Sequence, residues 1–119
     1  LCVDVTFASD AQKEDKRSVG DVRLGAGPVL GVGPTYHQKL NAIIAKAAKK
    51  AKIETQIQVR GRGTGTCAWA MRMTRSGAAV AQLSIPLRYM HSPIETLCLV
   101  SSTSPKLRVS CTAQLKPSA

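Results

Sequence analysis

Aromatic side chains are scarce in this 119-residue sequence: one Trp, two Tyr and one Phe, 3% of the chain. A single-strand nucleic-acid binder stacks bases on aromatic platforms, so that class is disfavoured at the outset. The core must come from Val, Ile, Leu and Ala, within an apolar share of 44% that is enough to drive folding. No apolar run is long enough to cross a bilayer, and no basic stretch leads into one at the start, so neither a membrane span nor a signal peptide is read. Leu1 enters a strand pattern directly without an initiator Met, as a cut end would. Histidine is limited to His37 and His91. The four cysteines, Cys2, Cys67, Cys98 and Cys111, form no C-x-x-C pair. They read as reduced thiols of a cytoplasmic protein, spaced too widely for a zinc cluster.

Acidic residues are also few, seven against seventeen Lys and Arg, for a net charge of +10. Five of the acids lie in residues 1–21, so the rest of the chain sets only Glu54 and Glu95 against fourteen bases. A field of that sign favours polyanions or an acidic partner segment, and a solvated basic surface is the plainer reading.

The length suits one domain. "LCVDVTFA" alternates and predicts a strand over residues 2–7, followed by a polar, exposed loop. "PVLGVG" reads as a glycine-broken strand. Residues 36–52 form the clearest helix, with Leu40, Ile43, Ile44, Ala47 and Ala51 as its stripe. Thr35 and Gln38 fit a capping box, and lysines crowd the C-terminal half, where the helix dipole favours them. His37, beside the cap, reads as a surface residue. "ETQIQVR" predicts a strand, "CAWAMRMTRSG" a short helix closed by Gly77, and "AAVAQLSIPL" another strand. The alternation of strand and helix implies an α/β layered sheet, whose sites gather in loops at strand ends. "TGTCAW" and "RYMHSP" are those loops. The tail alternates like a strand, with a helix capped at Ser104 as the other reading.

Four stretches carry more than pattern: "VDVTFASD", "GDVRLGAGPVLGVGP", "RGTGT" before a short helix, and "SIPLRYMHSPIE". In this order they resemble the carboxy-terminal part of the tetrahedral, or deblocking, metallo-aminopeptidases, a group that includes glutamyl aminopeptidase and the FrvX-type proteins. The resemblance covers residues 1–97 and leaves 98–119 as a divergent tail, so 1–119 reads as a single partial catalytic domain. It implies a mixed β-sheet layered between helices, the three-layer αβα arrangement. It also implies a hydrolase that removes N-terminal residues from peptides with two divalent ions, zinc or cobalt, and that assembles into a homo-oligomer. By the same resemblance Asp4 binds one ion, His91 binds the other, and Gly65 and Thr66 lie near the substrate.

Such chemistry needs a bridging carboxylate and a general base as well. The family carries these, with a further His, upstream of the Val-Asp-Val-Thr strand, so the 119 residues alone are expected to be inactive. The sequence departs from the family at Cys67, where Gly-Thr is normally followed by Asp, and at Trp69, where a small or polar residue is common. After Glu95 it lacks the acids and the final helix. Cys67 reads as an inert thiol, Trp69 as a packing or interface residue, and Arg88 as a partner of either a substrate carboxylate or Glu95. Two other functions stay open: a non-catalytic scaffold or oligomer-interface module derived from the family, and a basic polyanion-binding domain.

Overall fold

The computed structural model describes residues 1–10, 20–61, 65–100 and 108–114, of which 99, 100 and 108–114 are described by backbone alone. The middle of the expected polar loop, residues 62–64 of the Gly/Thr loop and the proposed Ser104 cap lie outside the described residues.

Among the described residues, six strands and two helices follow in the order β1 (Cys2–Phe7), β2 (Val29–Val32), α1 (Gln38–Lys50), β3 (Gln56–Val59), α2 (Cys67–Arg72), β4 (Gln82–Arg88), β5 (Ile94–Val100) and β6 (Arg108–Gln114). They form one mixed sheet in the order β3-β2-β4-β5-β6, with β1 also paired to β4. β1 and β4 run parallel, as do β2 and β3, whereas β4–β5 and β5–β6 are antiparallel. This is the expected α/β class. The tail is a strand, as its alternation predicted, and it closes a hairpin with β5. β4 holds the sheet together although it contains Pro86, which cannot donate to a ladder. Pro86 falls between Leu83 and Ser84, which pair with β2, and Leu87 and Arg88, which pair with β5. The break between those two partners is where a missing donor is tolerated.

Alternation and register divide the sheet into two faces. Cys2, Asp4 and Thr6 share one face with Gln82, Ser84 and Pro86, with Val29 and Gly31, and with Gln56 and Gln58. Val3, Val5, Leu83, Ile85, Leu30, Val32, Ile57 and Val59 share the other. Both helices belong to the first face. Ala68 of α2 joins Cys2, Tyr36 and Val80 in a buried cluster. Tyr36, just before α1, lies so close over Gly31 that an added Cβ would stand 2.8 Å from its ring. Its hydroxyl donates to Gln82 Oε1 at 3.0 Å.

The anchoring of Tyr36 corrects the predicted helix start. Thr35 and Tyr36 are buried against the sheet and the His37 N–H donates to Val80 O, so the helix begins only at Gln38. His37 occupies the cap position without a side-chain cap bond, and the Thr35–Gln38 capping box does not form. The helix stripe is also rotated from the one predicted. Asn41 reaches Gly31 O with its amide, so Leu40, Asn41, Ile44, Ala45 and Ala48 are half-buried while Ile43 and Ala47 face solvent. The far end closes as a Schellman motif, with Ile53 N–H on Ala48 O, Lys52 N–H on Lys49 O, and Lys52 in the left-handed region at φ 56°.

Candidate metal centre

Asp4 is half-buried in the middle of β1, opposite Ser84 of β4. Its Oδ1 accepts the Val5 N–H at 2.8 Å, and its Oδ2 lies 3.7 Å from Cys67 Sγ. Cys2, two residues earlier on the same strand face, is joined to Cys67 by a disulfide across 65 residues of sequence, with the Cα atoms 6.7 Å apart. The expectation that all four cysteines are reduced is thereby corrected. The fold sets the first residue of α2 over the first residue of β1, a juxtaposition that cysteine spacing cannot reveal. Cys98 remains a free thiol.

Gly65 and Thr66 lead into α2. Gly65 is exposed with no neighbour near the place of a Cβ, and Thr66 takes the extended N-cap conformation at φ −98° and ψ 160°. Both therefore stand beside Cys67 and the Asp4 carboxylate.

His91 lies in the turn between β4 and β5, exposed, with its ring edge-on to Phe7 at a centroid distance of 6.4 Å. Phe7 is three residues beyond Asp4, roughly 10 Å along a strand. By alternation Phe7 also lies on the face opposite Asp4, so the structure does not bring Asp4 and His91 together. His91 and Tyr89 both adopt left-handed backbone, at φ 65° and 61°. That conformation is uncommon outside glycine, and the turn holds it with side chains. Ser92 Oγ donates within 2.6 Å of Tyr89 O and lies 2.7 Å from Ile94 O, while Glu95 Oε1 accepts the His91 N–H at 3.0 Å. The proximity of Glu95 to His91 follows from the turn and not from Arg88.

Arg88 does not pair with Glu95. It grips Asp10, with Nε 3.0 Å from Oδ1 and Nη2 2.6 Å from Oδ2. Asp10 also accepts the Leu24 N–H, so the pair ties the end of β4 to the segment after β1. The Arg88 guanidinium holds the Asp10 carboxyl below the usual carboxylate range, against a smaller opposing effect of burial. The sequence reading missed Asp10, because a partner 78 residues away leaves no local signal. Trp69, on α2, is partly exposed.

The donor set suits divalent ions: Asp4 offers one carboxylate oxygen with no backbone donor on it, and His91 offers an exposed imidazole on a turn fixed by other groups. No described helix is long and apolar enough to cross a membrane.

The family model described as M42 glutamyl aminopeptidase matches residues 1–104. The chain is 45% identical over 95 residues to a lysyl aminopeptidase of Pyrococcus furiosus, a match that covers 80% of this chain and 27% of that protein. Among solved structures, an aminopeptidase from the archaeon Desulfurococcus kamchatkensis superposes with a TM-score of 0.67 at 34% identity, covering 80% of this chain and 28% of that one. The Pyrococcus horikoshii TET1 peptidase, which can assemble into a tetrahedron or a large octahedral shell, superposes with a TM-score of 0.53 at 31% identity, covering 80% and 27%. The chain therefore spans 27% to 29% of the length of the curated relatives it matches.

Proposed function

The chain belongs to the M42 glutamyl aminopeptidase family of metallo-aminopeptidases, and from that premise we propose that it forms the carboxy-terminal part of a two-ion aminopeptidase centre. The observation that carries the proposal is the His91 turn, where a strained histidine is presented to solvent by Ser92 and Glu95. Strain of about 1 kcal/mol or more persists only where surrounding contacts overdetermine it, and it gathers at functional sites. Asp4 holds one ion and His91 the other. Bound there, the ions polarise the scissile carbonyl and lower the pKa of the attacking water.

The chain's own residues position and orient. Ser92 and Glu95 fix the backbone that carries the imidazole. The Arg88–Asp10 pair anchors the strand that leads into the turn. Gly65 and Thr66 line the approach of the peptide substrate beside the Asp4 carboxylate. The bridging carboxylate and the general base come from other residues of the protein, so the 119 residues alone release no amino acids. By the family resemblance the ions are zinc or cobalt. The assembled protein is a homo-oligomer, by analogy with the peptidase that forms shells.

A chimera tests the proposal. This chain replaces the matching 95 residues of the Pyrococcus furiosus lysyl aminopeptidase, and release of N-terminal residues from short peptides is followed. The expected result is activity in the chimera, and loss of at least about 100-fold in kcat/KM for Asp4→Asn and for His91→Ala. A folded chimera that is inactive, or active without regard to either substitution, overturns the reading and leaves a scaffold.

A further inference from the structure

Among the described residues, the one cluster of metal-binding side chains with its ligand atoms drawn to a point is Cys2, Asp4 and Cys67. We propose that, when the Cys2–Cys67 disulfide is reduced, these three residues form a site for a thiophilic divalent cation, and that the disulfide closes it. Alternation along β1 puts Cys2 and Asp4 on one face, and α2 brings Cys67 over them. One ligand atom from each lies within 4.8 Å of the others. The carboxylate is divided between two tasks: Oδ1 accepts the Val5 N–H, and Oδ2 faces Cys67 Sγ at 3.7 Å. Sulfur at about 2.3 Å and oxygen at about 2.0 Å from a tetrahedral ion lie about 3.5 Å apart. The sulfur–oxygen spacing is therefore already that of two ligands on one ion.

Two thiolates and a carboxylate leave the fourth position to water. Cys67 is exposed and Asp4 half-buried, so an ion enters from solvent, while buried Cys2 closes the back. Sulfur selects zinc and cadmium over magnesium and calcium. The chemistry balances with a phosphine as reductant. The S–S bond breaks, phosphorus is oxidised to the phosphine oxide with oxygen from water, and each sulfur gains a proton. Each thiol then loses that proton to solvent as the cation binds. Asp4 is shared with the peptidase reading, in which it holds one of the two ions, but neither cysteine is; the thiolate readout therefore succeeds or fails apart from peptidase activity.

The test uses the chain with Cys98→Ser and Cys111→Ser, which leaves only Cys2 and Cys67. It is titrated with cadmium in oxidised form and again after phosphine reduction, with free thiols counted and the fold checked by circular dichroism. The expected result is a thiolate-to-cadmium charge-transfer band that saturates at one equivalent in the reduced chain and is absent from the oxidised one. Asp4→Asn weakens binding by about tenfold or more, and Cys67→Ser removes the band. A reduced chain with two free thiols and no band overturns the proposal. So does an oxidised chain with an equal band, or a reduced chain that no longer folds.

Discussion

The two faces of the sheet are built on opposite rules. The face under the helices is rich in polar side chains and buried: Thr6, Gln58, Gln82 and Ser84 are all nearly inaccessible. They are tolerated there because they bond one another. Thr6 donates to Gln58 at 2.9 Å, Arg60 reaches both, and Gln82 links Tyr36 to Ser84. The opposite face is apolar and largely exposed, with Val3 at 64%, Ile57 at 63% and Val59 at 71% exposure, although Leu30 in its middle is buried. Single exposed apolar residues are ordinary, but a contiguous patch on a sheet marks a contact surface. The contrast teaches that buried polar side chains are tolerated where they bond one another within this chain. The apolar face is a fit for the second helix layer of the three-layer arrangement that the family resemblance implies.

The largest break in that contrast comes from the face under the helices. Gly31→Ala pushes a methyl group into the Tyr36 ring, in a place where the backbone and the Gln82 bond leave no room to yield. It is expected to cost about 3 kcal/mol and lower Tm by roughly 10 °C in thermal unfolding. A drop of a degree or two would mean that Tyr36 does not pin α1 to the sheet.

A smaller effect is expected where the Arg88–Asp10 pair ties β4 to the segment after β1. Arg88→Met costs about 1 kcal/mol at neutral pH by denaturant unfolding. The sign of its pH dependence follows from Asp10, whose folded pKa is lowered. The stabilisation is fully present above the unfolded value near 3.9 and is lost as pH falls through the folded one. The gap between wild type and Arg88→Met therefore stays constant from pH 7 to about 5 and closes below about 4.

Next comes His91→Gly, which relieves the left-handed backbone at φ 65° and gains about 0.5 to 1 kcal/mol. In the chimera the same change removes activity, a separation of stability from function that a merely structural histidine would not show.

The smallest effect belongs to the largely exposed face. Ile57→Thr with Val59→Thr changes the stability of the 119-residue chain by no more than about 0.5 kcal/mol. In the chimera it costs more than about 1 kcal/mol, because there the face is covered. Equal effects in both settings would remove the argument for a missing layer.

Much of this arrangement was legible in the sequence. β1 and β3 followed from alternation, because each has one face in a different environment, and the tail is the strand of the two readings its alternation left open. The helix from Gln38 to Lys50 was legible in its existence and not in its start or its orientation. Both depend on Tyr36 and Asn41 reaching Gly31, a contact made through the fold. Of the candidate site, Asp4, Gly65, Thr66 and His91 were named by resemblance. The groups around them were not legible. The Cys2–Cys67 bond and the Asp10–Arg88 pair join residues 65 and 78 positions apart, beyond the reach of any local pattern.

The central claim is that Asp4 and His91 each hold one of two ions. It is tested most directly by native mass spectrometry of the chimera with the lysyl aminopeptidase, read for bound metal in each protomer. The account predicts two divalent ions, with one fewer in Asp4→Asn and one fewer in His91→Ala. An unchanged metal count in both variants would contradict it.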